Sequence, residues 1–139
     1  LELHNLKFLF CNVNVSLDEW LSDLDYDQLK RVSIQFPDPW FKRKHFKRRV
    51  VKTSLINSIA RYISNDGEIF IQSDILRLIE SITNVIDKST YFDRKDLMGL
   101  KWLDTNPYDT FTDRELFVLK KNLPIYRAIY SRNRTLFID

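Results

Sequence analysis

The chain has 139 residues, 44% hydrophobic and 14% aromatic, enough for one domain with a hydrophobic core. A single cysteine, Cys11, excludes an internal disulfide, and no apolar run reaches the length of a membrane span. The net charge of +3 hides an asymmetry: six of the 22 Lys/Arg residues fall within 42–49, so the remaining 16 face 19 acidic residues. A basic patch on a mildly acidic body points to a polyanionic partner.

In chain order, Lys7–Val13 is a continuous apolar stretch and predicts a first strand, with Cys11 in the core. Ser16-Leu-Asp-Glu19 reads as a capping box opening a short helix through Leu21, and an acidic loop follows over 23–28. Arg31–Phe36 predicts a second, buried strand. A helix is expected over 49–63, with Val51, Leu55, Ile59 and Ile63 on one face and Gly67 as its left-handed cap. Glu68–Ser73 predicts a third strand. Asp74 then opens a helix whose buried stripe is Ile75, Leu78, Ile79, Ile82 and Ile86. Tyr91–Leu103 gives no clear pattern. Thr112-Asp-Arg-Glu115 is a second capping box, opening a helix to about Lys121, and 124–132 alternates as a last strand, antiparallel at an edge. Strand and helix alternate with short junctions, which predicts a parallel α/β domain spanning 1–139 without linker or repeat.

The densest signal is Phe36-Pro-Asp-Pro-Trp-Phe-Lys-Arg-Lys-His-Phe-Lys-Arg-Arg49. Pro37 and Pro39 hold Asp38 on a stiff turn at the end of a strand, with Trp40 beside it. Ligands in open α/β sheets sit beyond the C-terminal strand ends, where Asn12, Asp38 and Asp74 are expected together. A helix cap or a turn role remains open for Asn12 and Asp74, and a capping box accounts for Thr112 and Glu115. Two histidines and one cysteine do not supply a zinc site, so no metal is expected. The only glycines are Gly67 and Gly99, so no Gly-x-Gly cofactor loop is present.

Asp38-Pro-Trp40 is similar to the post-strand motif of amino and nucleobase methyltransferases. The longer run Phe36–Arg49 resembles the signature of the tRNA (guanine-N7-)-methyltransferase family, which carries Phe-Pro-Asp-Pro-Trp, a basic stretch, then His-x-Lys-Arg-Arg. Asn5–Val13 resembles that family's third-strand segment, and Gln72-Ser-Asp74 its element after the fifth strand. Thr112-Asp-Arg-Glu115 with Leu123-Pro-Ile-Tyr-Arg127 resembles its C-terminal segment, in the cyanobacterial and plastid-type form.

The resemblance implies a Rossmann-like class I methyltransferase fold and S-adenosyl-L-methionine-dependent methylation of guanine N7 in the tRNA variable loop. By matching position, Asp38 is the catalytic acid and, with Asn12, lies on the cofactor side. Lys42, Lys44, His45, Lys47, Arg48 and Arg49 are implied on the tRNA side, and Asp74, Thr112 and Glu115 as substrate contacts or positioning residues. Phe41 and Phe46 fall where the family varies. The family's glycine loop and its ribose-binding acid lie ahead of where this chain begins, so the expectation is the C-terminal two thirds of such an enzyme. Such a chain should expose a sheet edge and self-associate, with no membrane partner, in the cytoplasm or a plastid. A non-catalytic RNA-binding module stays open, because the basic patch alone suffices for it. A methyltransferase acting on an exocyclic amine is permitted by the turn motif but leaves the His45-x-Lys-Arg-Arg49 run unexplained.

Overall fold

The computed structural model describes residues 3–25 and 27–138. In chain order it contains α1 (Val13–Ser22), β1 (Leu29–Gln35), a 3₁₀ helix (Arg43–Arg48), α2 (Thr53–Tyr62), β2 (Ile63–Ser73), α3 (Leu76–Asp87), β3 (Phe92–Arg94), α4 (Asp113–Lys120) and β4 (Tyr126–Arg132). The sheet order is β1-β2-β4-β3. The β1–β2 pair is parallel, joined through α2, while β4 runs antiparallel to both β2 and β3. This is a Rossmann-like α/β architecture with a mixed rather than parallel sheet. Among the described residues, no helix is long and apolar enough to cross a membrane.

The strand period of two separates the two faces of the sheet. Ile69 and Ile71 of β2 stand opposite Tyr130 and Ala128 of β4, and this face packs against Leu55, Ile59, Leu78, Ile82 and Ile86 of α2 and α3. All of these side chains are buried. The alternating set, Phe70 opposite Ile129 and Gln72 opposite Arg127, meets α4 and the loop before it, where Tyr108 contacts Phe70 edge-on and Glu115 bonds Gln72 and Arg127. The expected apolar stripes of α2 and α3 are therefore the core, although Ile75 lies just ahead of α3 and is only partly buried.

Several expectations are corrected. Residues 6–12 form no strand, because no described strand offers them a ladder; Phe8 and Phe10 are fully exposed, and Cys11 is exposed rather than core. The first helix starts three residues before the Ser16 box, because Asn12 caps it: its Oδ1 accepts from Asn14 N–H at 3.1 Å. The helix expected from Arg49 begins only at Thr53, behind a 3₁₀ turn that uses most of the basic run. Gly67 is not a left-handed cap. That backbone state belongs to Asp66 (φ 63°), whereas a Cβ on Gly67 would lie 2.7 Å from Ile63 Cγ1, so glycine is needed for close approach. β2 therefore starts at Ile63 and bulges before its regular ladder resumes at Glu68. The last strand is interior, between β2 and β3, and not an edge.

Among the described strands β1 and β3 form the two edges, and β1 is the edge on the side of α1. Its residues are half-buried or exposed, and beside it runs an apolar groove of about 370 Å³ lined by Val13 and Leu17 of α1, Val32 and Ile34 of β1, and Leu55 of α2.

Candidate functional site

β1 delivers its C-terminal end to the site through a constrained turn. Phe36 N–H still donates to Gln72 O of β2 at 2.9 Å. Phe36 then takes φ 47° and Trp40 φ 45°, left-handed values that are unfavourable for aromatic residues. Each costs on the order of 1–3 kcal/mol and persists only where the surroundings enforce it. Between them, Pro37 and Pro39 leave Asp38 little freedom. Asp38 is exposed and makes no hydrogen bond or ion pair with the described residues. A rigid turn thus presents an uncommitted carboxylate.

That carboxylate lies on the wall of a cavity of about 550 Å³. One part of the wall is the end of β1 and the turn, Gln35–Pro39; the rest comes from Asp74 and Ile75 just after β2 and from Thr112 and Arg114 at the start of α4. Asp74 does not cap α3, whose N-cap residue is Ile75 and which has no side-chain cap; Ser73 Oγ accepts from the Ile75 N–H. Its carboxylate is held by Arg114 Nη2 at 2.5 Å. Of the two acids on the cavity, one is neutralised and Asp38 is not.

A shallower depression on the other side of Asp38 is lined by Pro39, Trp40, Phe41, Lys42 and His45. The 3₁₀ period of three places His45 and Arg48 on one edge of that helix. Both meet the Trp40 indole, His45 edge-on at 5.7 Å and the Arg48 guanidinium at 5.2 Å. Lys42, Lys44, Lys47 and Arg48 are exposed. Arg49 departs from its expected role as a phosphate ligand. Its Nε donates to Pro39 O (3.0 Å), its Nη1 to Ser81 Oγ of α3 (3.1 Å), and its guanidinium covers the Phe46 ring at 3.9 Å. It straps the turn and the 3₁₀ helix to α3.

Glu115 is likewise not a surface contact. It is fully buried and takes hydrogen bonds from Arg127 Nη2 (2.8 Å), Gln72 Nε2 (3.1 Å) and Asn106 Nδ2 (2.9 Å). Burial opposes its ionisation, but these donors outweigh burial and hold its carboxyl below the usual glutamate range. Gln72 Nε2 also donates to Gln35 Oε1 at 2.7 Å, and Arg127 Nη1 to Asp104 O. Of this network only Gln35 lines the cavity; the rest backs the wall from within the protein, a buried floor that joins α4 to the last residue of β1. Only half of the predicted capping box forms: Thr112 Oγ1 accepts from Glu115 N–H at 3.1 Å, while the Glu115 carboxylate turns inward.

The structure therefore brings Asp38, Asp74 and Thr112 together on one cavity, with Lys42 and His45 on the neighbouring depression. Asn12 is spent on capping α1. Sequence reading missed Arg114, hidden inside a capping box, and the amide-guanidinium floor. The available signal for the floor was Gln72 directly after the apolar run Ile69–Ile71 and Arg127 ahead of Ala128–Tyr130 in the last strand, since polar residues in a core strand require partners.

A family of methyltransferases, described as "Putative methyltransferase", matches residues 1–128. The chain is 72% identical over all its 139 residues to a tRNA (guanine-N(7)-)-methyltransferase of Prochlorococcus marinus (strain NATL1A), and 69% identical to that of strain NATL2A. Against the protein of the same name from strain MIT 9313 it is 52% identical over 133 residues. The chain spans 65% of the length of the first two relatives and 56% of the third.

Proposed function

This chain belongs to the methyltransferase family that matches residues 1–128, and from that premise we propose that it methylates guanine N7 in the variable loop of tRNA. S-adenosyl-L-methionine supplies the methyl group when bound. The observation that carries the reading is the uncommitted Asp38 carboxylate, fixed by a strained Pro-Asp-Pro turn on a cavity large enough for a nucleobase. The relatives at 72% and 69% identity are named for this activity, which supports it.

The described residues do not form a complete cofactor cradle. Gly67 lies inside β2 and Gly99 in the loop after β3. Asn12 Oδ1 is committed to its cap, and the groove beside β1 is almost wholly apolar. Asn14 Oδ1, on the first turn of α1, is buried without a donor, a single acceptor where a cofactor needs several polar partners. This chain's share of the chemistry is to hold the base.

Guanine N7 carries a free lone pair, so attack on a sulfonium methyl needs alignment rather than a strong base. Alignment of reacting groups contributes up to about 7–11 kcal/mol in well-oriented systems. Asp38 accepts from the guanine N1–H and exocyclic amine, which fixes the base and raises its electron density. Adenine presents no such donor pair. The base must leave its stack to reach the cavity, and Trp40 walls the place where it arrives. Lys42, Lys44, Lys47 and Arg48 face outward to backbone phosphates, which orient the RNA without reading sequence. A tRNA substrate places the enzyme in the cytoplasm, or in a plastid of a eukaryote.

The test is methyl transfer from labelled S-adenosylmethionine to tRNA by the full-length protein, with N7-methylguanine mapped by its susceptibility to base loss and chain cleavage. The expected product is one N7-methylguanine in the variable loop. RNA binding without methyl transfer would instead favour the non-catalytic RNA-binding module.

A further inference from the structure

We propose that Arg114, oriented by Asp74, binds the phosphate of the nucleotide whose base enters the cavity. The inference rests on the reading of that cavity as a guanine site and names the contact that admits a charged nucleotide to it.

A cavity with two carboxylates is a poor receptor for a polyanion. Arg114 changes that balance: it pairs with Asp74 and leaves Asp38 as the only uncompensated acid on the wall among the described residues. The guanidinium is otherwise open. Its side chain is 51% exposed, and among the described hydrogen bonds it uses only Nη2, toward Asp74. One face lies 5.5 Å from the Phe117 ring, which holds the plane in place without consuming N–H donors. The remaining N–H groups form a planar fork of the kind that meets phosphate bidentately. Asp74 is mostly buried, at 12% exposure, so the anchor is fixed while the Arg114 side chain, on the cavity wall, stays half-exposed.

The chemistry of the reaction excludes the other obvious target. An arginine on the Hoogsteen edge of guanine donates to O6 and N7. That would occupy the lone pair that must attack the methyl group. A bidentate Arg114 on that edge would block the reaction, and the fork is assigned to the phosphate instead. Asp38 takes the Watson–Crick edge and Arg114 the phosphate, so N7 stays open.

The probes are guanosine, guanosine 5′-monophosphate and guanosine 3′-monophosphate, titrated by NMR into the full-length protein and its variants. The wild-type protein is expected to bind one monophosphate about tenfold more tightly than guanosine, as one charge-assisted phosphate contact contributes. The preferred isomer identifies which phosphate is held. Arg114→Ala should remove that preference while leaving guanosine affinity unchanged, and Arg114→Lys should restore part of it. In tRNA methylation, Arg114→Ala should raise KM about tenfold with kcat little changed.

Equal loss of guanosine and monophosphate affinity in Arg114→Ala would overturn the proposal and leave a purely structural strap. So would weakened S-adenosylmethionine binding with the phosphate preference intact, or no phosphate preference in the wild type. Loss of the preference in Arg114→Ala, in a protein that transfers no methyl group, would uphold the phosphate site and overturn the proposed reaction instead.

Discussion

Two groups of charged residues support the same site and differ in exposure and in bonding. The 3₁₀ helix carries Lys42, Lys44, Lys47 and Arg48 into solvent. The floor carries Glu115 and Arg127 at 0% and 4% side-chain exposure, with hydrogen bonds on both. In sequence the two groups look alike, as charges inside motifs. In the fold, the first group is available to a ligand and the second is consumed by the protein. The difference separates residues free to meet a ligand from residues that hold the protein's own shape.

The sharpest way to break this comparison is at the floor. Glu115→Ala leaves the Arg127 guanidinium buried without its counter-ion, and removing one partner of a buried pair costs about 3–5 kcal/mol. A lower Tm and denaturation midpoint are expected, with tRNA affinity per folded molecule unchanged. Unchanged stability would mean that Glu115 is not the structural element its burial makes it. The pH dependence has a definite sign. The folded-state carboxyl of Glu115 titrates below its unfolded value, so its contribution is present above the unfolded pKa of about 4.3 and is lost as pH falls through the folded value. Acid denaturation curves of the wild type and Glu115→Gln should converge in that acidic range and diverge above it.

Asp38 sits between the two groups, exposed like the lysines but fixed like the floor. Asp38→Asn keeps the shape and places a donor where the guanine edge also donates. A fall in single-turnover methyl transfer of roughly 10²–10³-fold is expected, as for one mispaired group aimed at a transition state. Stability and tRNA affinity should barely move. A near-normal rate would reduce Asp38 to a turn residue.

Where the pattern was local, it was legible in sequence. The helical members of the expected stripes, Leu55 and Ile59 in α2 and Leu78, Ile79, Ile82 and Ile86 in α3, are buried as the helical period requires, while Val51 and Ile63 are buried just outside α2. The Phe36–Trp40 turn carries its aspartate to the cavity. Features that depend on a distant partner were not legible. Residues 6–12 have the composition of a strand, but a strand exists only beside another, and none pairs with them here. Glu115 reads as a cap, and only its meeting with Gln72 and Arg127 on the sheet shows that its carboxylate faces the other way. Arg49 closes a basic run, yet it is turned inward to Pro39 and Ser81.

Arg49 supplies the intermediate test, because it belongs to the first group by sequence and to the second by contacts. Arg49→Ala removes its bonds to Pro39 O and Ser81 Oγ and its cover over Phe46. A destabilisation of about 1.5–3 kcal/mol is expected for hydrogen bonds from a charged group. Part of the methylation rate should fall with it, as the turn that holds Asp38 loosens. The diagnostic is salt: the slope of log affinity against log salt for tRNA should stay as in the wild type.

The smallest expected effect on the fold belongs to the exposed lysines, and there the comparison predicts the reverse pattern. Lys44 and Lys47 lie three apart on the 3₁₀ helix, both exposed, so they follow one line along its surface. Substituting both by Ala removes no described hydrogen bond or ion pair, and stability should stay within about 0.5 kcal/mol. Each lysine that neutralises a phosphate releases a counterion and contributes roughly −0.7 to −0.9 to the salt slope. The double variant should therefore flatten that slope by about 1.4–1.8 if both contacts are made. Its methyl transfer at saturating tRNA should be close to normal, because Asp38 and the floor are untouched. An unchanged slope in the double variant would take Lys44 and Lys47 out of the RNA path, leaving Lys42, Arg48 and the Arg114 side of the cavity as cationic entries.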